Sequence, residues 1–229
     1  MCELIEKLED QRSKKVMFIS HCLLNTNTRY LVGAFRRGSV EEIIYDVLKE
    51  GVGIVQMKCP EQWAWGGVLR KILLIVFDAK WTFPRDIKPL LIKLFIAYTR
   101  ITYKKLANET FKMICDHIKS GYKIMGIIGV DGSSSCGVTT ILDIRKVFDY
   151  FVCQDIKTLN KDEFNRELYE NCTATGRGIL CPDLFTKPFF KHHEASFIFA
   201  RFILAVNTSS MDTNNILFGI RLKCCQGFY

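Results

Sequence analysis

Lys14-Lys-Val-Met-Phe-Ile-Ser20, running directly into His21-Cys-Leu-Leu-Asn25 and the polar Thr26-Asn-Thr28, is the stretch on which the reading of the fold turns. A short apolar run rich in strand formers, closed by a polar segment, is the pattern of a buried strand that empties into a loop. Downstream, Ser39-Val-Glu-Glu42 has the spacing of a capping box. Ile43, Ile44, Val47 and Leu48 supply a helical apolar face, and Gly51 a stop. Strand, loop and helix in that order open a parallel α/β unit.

The same grammar recurs twice. Gly53-Ile-Val-Gln-Met57 reads as a second buried strand, ended by Lys58-Cys59-Pro60 because proline cannot continue a central ladder. Lys123 to Val130 reads as a third, giving way to the loop Asp131-Gly-Ser-Ser-Ser-Cys-Gly137. Between them, Ile87, Leu91, Leu94, Tyr98 and Ile101, then Ala107, Phe111, Ile114 and Ile118, recur at helical spacing and predict one long or two consecutive helices ending near Gly121. A further strand at Val147–Val152 and a helix capped at Asn160-Lys-Asp-Glu163 complete the expectation. The sum is an α/β fold, a three-layer Rossmann-like open sheet, mainly parallel and in one domain. Residues 1–13 read as an N-terminal extension, 14–187 as the domain and 188–229 as a C-terminal segment packed on it. In that segment Ser196–Val206 suits an edge strand or a short buried helix, and Asn207–Asn215 a flexible loop.

Composition narrows the class. The chain has 229 residues, 48% of them hydrophobic, which excludes intrinsic disorder. Its 10 cysteines fall well short of the roughly 8–10% typical of a disulfide scaffold. The charged stretch Met1–Glu9 does not read as a secretory segment, so reduced thiols in a cytoplasm are expected. No run free of charge exceeds Val16–Thr28, too short for the about 18 residues of a membrane span. The net charge of +8 is dispersed over Arg12–Lys15, Arg36-Arg37, Arg70-Lys71 and Lys104-Lys105, the pattern of a solvated surface. An RNA-binding reading follows from this charge but has no supporting motif.

Ligands of open α/β sheets bind outside the carboxyl ends of the strands. Cys22, Cys59 and Cys136 each lie a few residues beyond such an end, in Gly-, Pro- or Asn-marked loops. If the strands are neighbours, three thiols meet. Soft sulfur ligands favour zinc, cuprous copper or an iron–sulfur cluster. Ligands from three separate loops suit a bulky cluster better than the paired knuckles of structural zinc, and three thiolates on a cubane leave one iron open. Cys115, Cys153, Cys172, Cys181 and Cys224-Cys225 read as small buried hydrophobes. Gly132 and Gly137 imitate a phosphate-cradling loop, but Val138 stands where lysine is required.

His21-Cys-Leu-Leu-Asn25, Cys59-Pro-Glu61 with Trp65-Gly-Gly67, Gly132-Ser-Ser-Ser-Cys-Gly-Val138 and Gly176-Arg-Gly178 together resemble the 2-thiouracil desulfidase family, over about residues 15–180. The resemblance is closer to its uncharacterised desulfidase-like branch. It implies a Rossmann-like domain holding a 4Fe-4S cluster through Cys22, Cys59 and Cys136. The fourth iron is then open to the sulfur of a thiocarbonyl compound, with Glu61 and Ser133 at the positions of the catalytic carboxylate and serine. The chain departs from the family in having Ser134 where a proline is common. The implied activity is an oxygen-sensitive, cytoplasmic desulfidase acting on a small thiouracil-like substrate as a monomer, with no membrane or nucleic-acid partner.

Asn25, Arg29, Trp65 and Ser135 are candidate substrate contacts, with Trp63 as a further flat wall. Asn27 reads as a turn residue. His21 is a candidate proton donor to leaving sulfide, or a histidine bonded to backbone. His192-His193-Glu194 resembles metal ligands only superficially, since adjacent strand residues face opposite ways. The competing class is a non-catalytic metal module, in which the same cysteines hold zinc or a cluster for structure or redox sensing.

Overall fold

A computed structural model describes residues 10–29, 34, 37–82, 87–130, 132–137, 140–152, 160–176, 178, 197–202 and 220–225. Its centre is a parallel three-stranded sheet of β1 (Lys15–Ser20), β2 (Gly53–Met57) and β3 (Lys123–Ile128), in the order β2-β1-β3. β1 is central, and all its residues after Lys15 are buried. Alternate side chains serve two clusters. Met17 and Ile19 pack with Val40, Ile43, Val47 and Ile128, while Val16 and Phe18 pack with Met57, Ile114, Ile124 and Ile127. That two-sided burial is why β1 is a continuous apolar run rather than an alternating one.

The register sets the site. Ser20 pairs with Met57 on one side and Ile19 with Ile128 on the other, so the three carboxyl ends stop at one level. Helices α1 (His21–Leu24) and α2 (Glu41–Lys49) follow β1, and α3 (Pro60–Ala64) follows β2. α4 (Lys71–Thr82) and the single long α5 (Lys88–Lys119) lead into β3. After β3, a short antiparallel pair, β4 (Thr140–Leu142) with β5 (Thr173–Thr175), brackets α6 (Ile144–Val152) and α7 (Lys161–Cys172). Strands β6 (Phe197–Phe202) and β7 (Ile220–Cys225) pair antiparallel, β6 lying alongside β3. Of the two readings of Ser196–Val206, the strand is the one formed over the described residues Phe197–Phe202.

Three local expectations are corrected. Ser39 does not cap α2: Val40 precedes its first residue, no side-chain cap bond forms, and Val40 N–H donates to the Leu23 carbonyl at 2.9 Å. Glu41 and Glu42 face the helix dipole instead. Val147–Val152 belongs to helix α6, because Asp143 Oδ1 accepts from the Arg145 and Lys146 N–H groups at 2.9 and 3.3 Å and starts a turn. The third correction concerns the first half of α5, where Ile87, Leu94, Tyr98 and Ile101 are exposed and Phe95, Thr99 and Tyr103 are buried instead. From Ala107 onward the predicted stripe is the inner face: Ala107 and Ile114 are buried, and Phe111 and Ile118 pack against the core. Asn207–Asn215, His192-His193-Glu194, Cys153, Cys181, Arg36, Asp131, Val138 and Arg177 lie outside the described residues.

Among the described residues no helix is long and apolar enough to cross a membrane. Phe18, 0% exposed and edge-on to the His117 ring at 5.5 Å, anchors one side of β1. Phe18→Ala is expected to lower stability by about 3–5 kcal/mol in urea denaturation. Trp63→Ala, at an exposed site, should stay within about 0.5 kcal/mol of wild type.

Candidate functional site

Because β1, β2 and β3 end together, the segments that leave them enclose a cavity of about 130 Å³. Cys22, Cys59 and Cys136 all line it, as do Glu61, Ser133, Ser135 and Arg29. Cys22 sits in α1 two residues after β1, and Cys59 stands before Pro60 at the start of α3. Cys136 lies in the loop after β3, which is held by close backbone approach. A Cβ on Gly137 would meet the Thr140 carbonyl oxygen at 2.3 Å, and one on Gly178 would meet the Ser135 carbonyl oxygen at 2.4 Å. Gly178 N–H also donates to the Gly137 carbonyl at 2.8 Å, so Gly178 clamps the Cys136 loop.

The thiols are coupled. Cys22 donates its S–H to Cys136, which lifts Cys22 well above the ordinary thiol range, with burial acting the same way. The same bond, helped by Ser20 and the backbone at Val130, holds Cys136 down to about 6 despite burial. Cys59 is pushed up to about 12 by burial first and by the Glu61 carboxylate second. In the metal-free protein at neutral pH, Cys136 is therefore the thiolate and the other two are thiols.

Glu61 is fixed by hydroxyls. Ser134 Oγ donates to its Oε1 at 2.8 Å and Ser133 Oγ at 3.2 Å. Since the one Ser134 proton goes to Glu61, the buried Tyr103 hydroxyl is the donor in its 3.2 Å contact with Ser134 Oγ. Burial first and Glu61 second keep that phenol well above its usual range, so it stays a donor. Ser133 Oγ accepts from the Ser135 and Cys136 backbone N–H groups at 3.3 and 3.4 Å. It also contacts Ser135 Oγ at 3.2 Å. The hydroxyls of this loop thus tie it to Glu61 and to its own backbone.

Two sequence candidates do not face the cavity. Trp65 is 5% exposed in a core cluster with Ala64, Tyr103 and Phe148, and its Nε1–H donates to Thr99 Oγ1 at 3.2 Å. Its indole is therefore spent on packing. Asn25 is exposed, and its carbonyl accepts from Thr28, closing the turn after α1. Trp63 is exposed too, with Lys58 Nζ 5.2 Å above its ring.

Arg70 is the residue that sequence reasoning missed. Paired with Lys71 it read as surface charge, yet it is 1% exposed and lines the cavity. The signal was its place in the short stretch between the Gly66-Gly67 turn and α4, on the loop that begins at Cys59. His21 lines the cavity as well. Burial first and the Arg70 charge second lower its pKa, so the ring is neutral. Tyr103 and Ser134 were also missed, since nothing local marks a tyrosine in the middle of a helix as a serine's partner.

Over 129 residues, 56% of this chain and 70% of the relative, the chain is 27% identical to Uncharacterized protein MJ0003 of Methanocaldococcus jannaschii. No family model matches the chain. No solved structure matches it either.

The thiol shifts fix a pH dependence for the metal-free protein. Between about pH 6 and the ordinary thiol value of 9.0, folded Cys136 is ionised and unfolded Cys136 is not, so stability rises with pH. Above 9.0, folded Cys22 and Cys59 keep protons that the unfolded chain releases, and stability falls. Urea denaturation across this range should show the rise in wild type and lose it in Cys136→Ser. Ultraviolet thiolate absorbance should titrate near pH 6 in the same comparison.

Proposed function

We propose that the chain is an iron–sulfur-dependent desulfidase that converts a small thiocarbonyl compound, of the thiouracil type, to its carbonyl counterpart. The observation that carries this reading is the sharing of one cavity by three thiols from three strand ends and a hydroxyl-bonded carboxylate. The proposal includes a Rossmann-like layering of helices on both faces of the sheet, a reducing cytoplasmic setting, and a monomer.

The donor set suits a cluster by its chemistry, since three soft thiols carried by three separate segments line one cavity. The half-open cavity has a volume of about 130 Å³, close in scale to the roughly 150 Å³ cavity that takes a benzene ring. Cys22, Cys59 and Cys136 would hold it, and Cys136 is already poised as a thiolate. When bound, such a cluster supplies an open iron that polarises C=S and accepts its sulfur.

The rest of the reaction falls to the chain. The thiocarbonyl and water become the carbonyl and hydrogen sulfide, with no electron gained or lost. Glu61 takes a proton from the water that adds to carbon and returns it to departing sulfur. Oε1 is occupied by two hydroxyls and Oε2 has no partner among the described residues, which leaves one oxygen for this transfer. Ser134 and Tyr103 keep the carboxylate from rotating. Ser133, whose single proton serves Glu61 in this form, is placed to redirect it to substrate. Leu142, Leu168 and Tyr169 give the ring an apolar wall, and Arg29 a charged edge.

Oxygen-protected protein reconstituted with iron and sulfide should bind both and release sulfide from 2-thiouracil or a related thioamide. Glu61→Gln should keep the iron and lose about 10²–10⁴-fold in turnover. Cys136→Ala should lose iron and turnover together. A colourless protein with stoichiometric zinc would refute the cluster, and an iron-loaded protein inert across a thioamide panel would favour the non-catalytic module.

A further inference from the structure

The buried guanidinium of Arg70 has no direct anionic partner among the described residues. Nη1 of the buried Arg70 donates to the Gly67 carbonyl at 3.3 Å and the Val68 carbonyl at 2.7 Å. Nη2 donates to the Thr28 carbonyl at 3.1 Å and lies 3.8 Å from Cys59 Sγ. Nε is buried with no acceptor, and none of the guanidinium's partners among the described residues is a carboxylate. Burying a cation without an anionic partner is costly, because backbone carbonyls offer only partial charge. The backbone is strained to achieve it, since Arg70 has a φ of 52°, in the left-handed region that residues with a Cβ avoid.

One further donor on the same cavity lacks an acceptor, His21 Nε2. The histidine tautomer follows from its partner. Gln56 Nε2 can only donate, so His21 Nδ1 accepts at 2.7 Å and the ring proton sits on Nε2. One orphaned guanidinium N–H and one neutral donor therefore remain for an electron-rich ligand.

We propose that Arg70 is the resident counter-charge for a ligand of the cavity, holding an anionic sulfur-ligated group against Cys59, with His21 Nε2–H as a supplementary donor. The identity of the anion rests on the cluster reading above; the charge argument stands on burial and hydrogen bonds alone. Three thiolates give such a group net negative charge, and N–H···S bonds from a cation favour the more reduced state and slow loss of the metal. Arg70 is a positioning residue in this role and touches no reacting atom.

Arg70→Met and Arg70→Lys are compared with wild type in metal-free and iron-loaded forms. In Arg70→Met, iron should pass to a chelator about tenfold faster and the midpoint potential should become more negative, while metal-free stability changes less than loaded stability. Arg70→Lys, which keeps the charge but not the fork, should keep most of the potential, and it carries the test if Arg70→Met does not fold. Equal destabilisation of both forms with an unshifted potential would overturn the proposal, leaving Arg70 as a tie for three carbonyls. Wild-type protein that takes up no iron counts against the cluster reading by itself. The counter-charge is then read by adding hydrosulfide to metal-free protein at fixed ionic strength. It stands if hydrosulfide raises the denaturation midpoint of wild type and not of Arg70→Met, and falls if both respond alike.

Discussion

Parallel strands in register deliver whatever follows them to one side of the sheet, and here that constraint does most of the organising. The pairings of Ser20 with Met57 and of Ile19 with Ile128 put three carboxyl ends at one level, with β1 in the middle. Residues far apart in sequence then need only a few further residues of chain each to meet. The apolar run Val16–Ile19 is what makes this possible, because a strand buried on both faces holds its register against slippage. The polar loops gain their precision from the sheet rather than from their own sequence, with the exception of the Cys136 loop, which is clamped by Gly178 and by its own serine hydroxyls.

The same gathering concentrates groups that resist burial. A thiolate, a carboxylate and a guanidinium share one small cavity, and each is held by neutral hydrogen-bond donors or acceptors rather than by a close ion pair. Such an arrangement lowers the stability of the empty protein and is the mark of a site shaped for something else. The order Tyr103, Ser134, Glu61 shows how the fold limits the cost, passing one chain of hydroxyl donors from the interior of α5 to the carboxylate.

Legibility in the sequence followed the range of each interaction. The strands at Lys15–Ser20, Gly53–Met57 and Lys123–Ile128 were readable because apolar runs bounded by loop residues are local signals. With the strands came the rule that ligands gather at their carboxyl ends, so Cys22, Cys59 and Cys136 could be named before their meeting was visible, whereas Glu61 and Ser133 were named only through the family resemblance. Features decided by tertiary contact were not readable. Arg70 beside Lys71 looks like surface charge, Trp65 near Glu61 looks like a binding wall, and the stripe Leu94, Tyr98 and Ile101 looks like a buried face. In each, burial is set by a partner distant in sequence. The misreading of Val147–Val152 was of another kind, since the cap at Asp143 is local and was simply outweighed by the β-branched and aromatic content of the segment.

The central claim is that the sulfurs of Cys22, Cys59 and Cys136 hold one group together. Cysteine footprinting tests it most directly: metal-free and iron-sulfide-loaded protein are alkylated under identical oxygen-free conditions, and each cysteine is quantified by mass spectrometry. The account predicts that loading protects these three together and leaves the half-buried Cys115 unchanged. If any of the three reacts as readily in loaded protein as in metal-free protein, the claim is contradicted.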